Sequence, residues 1–105
     1  MISINILYPS GEGKTFDMDY YIKSHISMVH ELLDDEGMTS VEVDKGLASM
    51  QEGEPAPFLC IAKLHFTSIE KFQAALGKHG DALMADIPNF TNTQPQIQVS
   101  EAVAS

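Results

Sequence analysis

Apolar and polar residues alternate from Ile2 to Tyr8: Ile2, Ile4, Ile6 and Tyr8 against Ser3, Asn5 and Leu7. A period of two predicts a half-buried strand over 2–8. Pro9, Ser10, Gly11 and Gly13 then break the pattern into a turn. From Asp17 to Asp35 the period becomes helical. Two adjoining rows, Met18-Tyr21-His25-Met28-Leu32 and Ile22-Ile26-Val29-Leu33, predict one broad buried face. Asp17 is placed to cap the start, and Gly37 gives a stop.

A second strand is expected over 39–48, with Val41 and Val43 opposing Ser40, Glu42 and Asp44. Residues 51–57 form a loop. The third strand, 58–66, is apolar on both faces: Phe58, Cys60, Ala62, Leu64 and Phe66 against Leu59, Ile61, Lys63 and His65. Two apolar faces predict an interior position in the sheet. Thr67 and Glu70 have the form of a capping box ahead of a second helix over 68–86. Its expected stripe is Ile69, Phe72, Leu76, His79 and Leu83. Gly77 and Gly80 mark a break or a close approach, and Pro88 ends the helix. A last strand covers 94–101, and the tail 102–105 is expected to fray.

The order is β-α-β-β-α-β. It predicts an α+β, ferredoxin-like domain spanning 1–105: a four-stranded antiparallel sheet with both helices on one face. The uncovered face carries mixed polar and apolar groups, which invites a second copy. A homodimer closed through these faces would enclose a space for a small molecule, with His25 looking into it.

Composition narrows the function. The 105 residues carry a net charge of −9 and no basic cluster, which argues against nucleic acid as a partner. No run approaches the ~18 apolar residues of a membrane span, and no secretory leader is visible. The lone cysteine, Cys60, fits a reducing cytoplasm and core packing.

His25 lies one helical turn after Tyr21. A neutral imidazole there suits a general base or hydrogen-bond donor; a structural bond fixing the helix to the sheet edge is an equal alternative. His79, beside two glycines, reads as a satisfied core histidine or a pocket-lining one. His30 reads as solvated, and His65 as a strand-end residue or one facing the enclosed space. His25 and His30 are five apart, so no helical metal pair forms and no metal site is expected. Flavin, nicotinamide and haem motifs are not visible, so no cofactor is signalled.

Tyr8-Pro9, Phe16-Asp17-x-x-Tyr20-Tyr21-x-x-x-His25, Gly37-Met38, His79-Gly80 and Asp86-Ile87-Pro88-Asn89-Phe90-Thr91-Asn92 together resemble the EthD family over nearly the whole chain. The resemblance implies a dimeric α+β barrel. It implies an oxidoreductase, or an accessory to an ether- or aromatic-degrading oxygenase system, acting on a small apolar or aromatic molecule. Similar small barrels include polyketide cyclases, decarboxylases, dehydratases and cofactor-independent oxygenases, and a non-catalytic ligand-binding or stress-type barrel protein is the alternative reading. By analogy His25 is the expected acid or base, Tyr21 its positioning partner, and His79, Asn89 and Phe90 lining residues. Ser27 stands where many relatives have proline.

Overall fold

The computed structural model describes residues 1–104. Strands β1 (Ile2–Pro9), β2 (Met38–Lys45), β3 (Phe58–Phe66) and β4 (Gln96–Glu101) form one antiparallel sheet in the order β2-β3-β1-β4. Ile4 opposes Leu64 on one side and Val99 on the other, and Val41 opposes Leu64. β3 is interior, as its two apolar faces require. Strand ends differ from expectation for local reasons. β2 stops at Lys45, and a Cβ on Gly46 would overlap the Phe58 carbonyl. β4 starts after Pro95, which has no N–H to give to a ladder. Residues 102–104 carry no regular structure, and Ser105, the end of the stretch expected to fray, lies outside the described residues.

The first helix, α1, has three parts: an α-helical turn Met18–Tyr20, a π-helical segment Tyr21–His25 and an α-helical stretch Ile26–Leu33. Asp17 caps it by accepting from the Tyr20 N–H. Its buried row is Tyr21, His25, Val29 and Leu33, spaced by four throughout. An α-helix turns about 40° too far for that spacing at each step; the wider π turn absorbs part of the drift. Ile22, expected inside, is instead 45% exposed. A 3-10 turn, Asp34–Glu36, and the left-handed Gly37 (φ 101°) close the helix.

The second helix, α2 (Ile69–Asp86), runs unbroken through both glycines. Ser68, rather than Thr67, caps it, accepting from the Lys71 N–H at 3.2 Å. Ala75 and Gly80 are its buried residues, and a Cβ on Gly80 would meet Leu76 Cδ1 at 3.1 Å. The small residues turn the helix so that Phe72 and Leu83 pack inward. Ile69 and Leu76, expected on the buried stripe, are 40% and 48% exposed. A 3-10 turn, Ile87–Asn89, follows directly.

Both helices lie on one face of the sheet. One core cluster gathers Ile4, Val29, Leu33, Leu64, Phe66 and Ala75; a second gathers Tyr8, Tyr21, Cys60, Ala62 and Phe90. The opposite face is open and mixed: Ser3, Asn5, Glu42 and Lys63 beside Leu7 and Ile61. Among the described residues, no helix is long and apolar enough to cross a membrane.

Candidate functional site

The π segment of α1 and the end of α2 meet at one buried imidazole. His25 is 6% exposed. Its Nδ1 lies 2.8 Å from Asp86 Oδ2. The other carboxylate oxygen, Oδ1, accepts from the Tyr20 hydroxyl at 2.7 Å and from the Asn89 amide at 2.9 Å. Asp86 thus sits at the C-terminal end of a helix, where the dipole disfavours an anion, and three side chains compensate it. Burial raises the Asp86 carboxyl's pKa, but the bonds from Asn89, Tyr20 and His25 outweigh it and hold the group below its ordinary value. The bond to Asp86 in turn raises Tyr20 above the ordinary phenol range.

Aromatic rings fix the imidazole from its other sides. Tyr21 stacks on it with centroids 5.3 Å apart and planes 17° apart, and Phe90 tilts against it at 4.7 Å. Phe90 also touches Tyr8, Phe16, Tyr20 and Tyr21, making it the hub of the cluster. Burial pushes Tyr8 up to about 12 and Tyr21 well above the phenol range. Both phenols therefore stay protonated near neutral pH, and neither is a base. Burial likewise pushes the Cys60 thiol up to about 12, so it packs as a small apolar group.

His25 lines a cavity of about 80 Å³ between the sheet and the helices. Ile4, Ile6, Val29 and Leu64 form its walls, and Tyr8 and His25 are the polar side chains on its lining. Leu76, Met84 and Ile97, each about half exposed, stand where the lining meets the surface. Among the described residues, no protein group bonds His25 Nε2. This cavity lies on the helix side of the sheet. His25 is expected in a space between two bare sheets, but the imidazole and the bare face lie on opposite sides of the sheet. The reason is alternation: Ile4, Ile6 and Tyr8 face the helices, and Ser3, Asn5 and Leu7 face away.

The expected site residues separate. His25, Tyr21, Asn89 and Phe90 come together, but His25 alone of these lines the cavity. Tyr21 and Phe90 stand behind it, and Asn89 acts on Asp86. His79 is elsewhere: its Nε2 lies 3.7 Å from Glu36, which also pairs with Lys78 at 2.9 Å. His30 pairs with Asp34, and His65 with Glu42 on the open face. Asp86 and Tyr20 lie in the EthD-like motifs, but no spacing or period singles either out as a site residue. A carboxylate at the wrong end of a helix dipole was the available signal for Asp86.

The profile of the EthD domain matches residues 10–94. The chain belongs to the EthD family. An EthD-like protein from Ralstonia eutropha JMP134 is 37% identical, with a TM-score of 0.91 over 98% of this chain and 92% of its own. An EthD family protein from Bacillus halodurans C-125 is 17% identical, with a TM-score of 0.73 over 98% of this chain and 99% of its own. SnoaB, a cofactor-independent oxygenase from Streptomyces nogalater, shares the fold at 11% identity, with a TM-score of 0.61 over 99% of this chain and 93% of its own. No curated protein matches the chain. Within this EthD protein, the Tyr20, Tyr21, His25, Asp86, Asn89 and Phe90 positions of the EthD-like motifs form one cluster of hydrogen bonds and ring contacts.

Proposed function

We propose that this EthD protein binds a small apolar or aromatic molecule in the cavity between sheet and helices, and that His25 moves a proton there. One observation carries the reading: the imidazole on an apolar lining has one nitrogen tied to a carboxylate and the other, among the described residues, free of protein bonds. Tyr21 holds the ring plane by stacking. Family membership supports an oxidoreductase role, or an accessory role beside an oxygenase. The mixed open face supports a homodimer closed sheet to sheet, and the single buried thiol suits a reducing cytoplasm.

A panel of neutral carbon acids incubated with the protein in D2O tests the reading. Wild type incorporates deuterium into at least one member, and His25→Ala, with the cavity intact, does not. Equal incorporation by both proteins removes His25 from the chemistry. A second reading keeps the cavity as a binding site without turnover, with His25 structural; the ring's burial against Tyr21 and Phe90 favours it. It predicts toluene binding with no exchange into any member of the panel.

A further inference from the structure

Three side chains converge on one carboxylate. Tyr20 and Asn89 occupy Asp86 Oδ1, leaving Oδ2 to His25 at 2.8 Å. Asp86 is held below its ordinary pKa, so it is ionised at neutral pH and can only accept. The proton between it and the imidazole therefore belongs to Nδ1, and a neutral ring keeps its lone pair on Nε2. The lining around that ring carries no lysine or arginine, and the chain's net charge is −9. An anion entering the cavity would meet a carboxylate behind the imidazole and no cation in front of it.

We infer that Asp86, clamped by Tyr20 and Asn89, is the positioning residue that keeps His25 protonated at Nδ1, so that the cavity takes an uncharged molecule presenting one weakly acidic O–H or C–H to Nε2. This rests on the reading of the cavity as a small-molecule site and fixes its direction: His25 begins as a base. In the step itself the O–H or C–H bond breaks and its electron pair stays on the ligand. The proton forms an N–H bond at Nε2. The resulting imidazolium pairs with Asp86, and the ligand anion faces the imidazolium. Return of the proton, to the same atom or to another along a conjugated system, restores the neutral ring. No oxidant enters the balance. Tyr20 and Asn89 act through Asp86 alone, since neither lines the cavity.

The test uses the full 15N-labelled chain and long-range 1H–15N correlation of the His25 ring while it is neutral. Wild type shows the Nδ1–H form. Asp86→Ala shifts the ring to mainly Nε2–H, the form an unconstrained imidazole prefers. The double variant Tyr20→Phe, Asn89→Ala leaves Asp86 free to rotate and gives a mixture. A wild-type ring protonated at Nε2 overturns the inference, and needs no variant to fold. So does an Asp86→Ala ring still protonated at Nδ1. Phenol and toluene, nearly equal in shape, form the second arm. Phenol binds wild type about tenfold more tightly, as one added hydrogen bond predicts, and Asp86→Ala narrows the difference, because the Nε2–H it leaves can donate only to the weakly basic phenol oxygen. Equal binding of the two by wild type overturns the positioning role but leaves the cavity reading standing. Binding of neither overturns the cavity reading, and the tautomer result then decides the role of Asp86 alone.

Discussion

His25 Nδ1 lies 2.8 Å from Asp86 Oδ2, joining the π segment of α1 to the last residue of α2 across 61 positions of sequence. Each partner solves the other's problem. The imidazole helps satisfy a carboxylate at the negative end of a helix, and the carboxylate orients an otherwise buried ring.

The depressed Asp86 carboxyl makes stability depend on acid. The folded state binds this proton less readily than the unfolded chain, whose carboxyl titrates near 3.8. The contribution is therefore full above that pH and is lost as pH falls through the lower folded value. Asp86→Asn is expected to melt below wild type at neutral pH, with the gap narrowing below pH 3.8. Thermal melts across that range check it; a constant gap would exclude the carboxylate's charge as the cause.

Phe90 is 3% exposed and touches five aromatic side chains. Phe90→Ala is expected to cost about 3–5 kcal/mol, the range for truncating a buried phenylalanine. Urea unfolding measures it. A loss under about 1 kcal/mol would mean that the cluster collapses into the space at little cost.

Two glycines should respond in opposite directions. A Cβ at Gly77 meets nothing within 4 Å, in the interior of an exposed helix face. Gly77→Ala is expected to stabilise by about 0.5–1 kcal/mol through the unfolded chain's lost freedom. At Gly46 the added methyl overlaps the Phe58 carbonyl, and Gly46→Ala is expected to destabilise by about 1–3 kcal/mol. Paired denaturation curves show whether the signs differ.

The open sheet face predicts an assembly. Ile61 lies on it between β2 and β1, opposite Asp44 and Leu7. If copies close through this face, wild type sediments as a dimer at micromolar concentration and Ile61→Lys as a monomer. A monomeric wild type would remove the sheet-to-sheet dimer without touching the cavity, which lies on the other side.

Most of the architecture was legible because it depends on period. The alternation in 2–8 and 58–66 and the helical rows in 17–35 and 68–86 dictate strand, helix and their order. The helix faces were legible only in part. Tyr21 and His25 at a spacing of four look the same in an α-helix and in a π segment, so the exposure of Ile22 was hidden. On α2, Ala75 and Gly80 rather than the larger Ile69 and Leu76 face inward, because close packing favours what fits over what is most apolar. The imidazole was visible as a candidate, but its partner was not: no local pattern links Asp86 to a residue on the other helix. The side of the sheet that holds the cavity needed the sheet order, which no single strand's pattern contains.

A crystal of this EthD protein grown with phenol tests the central claim most directly. The account predicts the ring among Val29, Leu64 and Ile97, with its hydroxyl within hydrogen-bond distance of His25 Nε2. Phenol bound only on the open sheet face, or an imidazole closed off from the cavity by its neighbours, would contradict it.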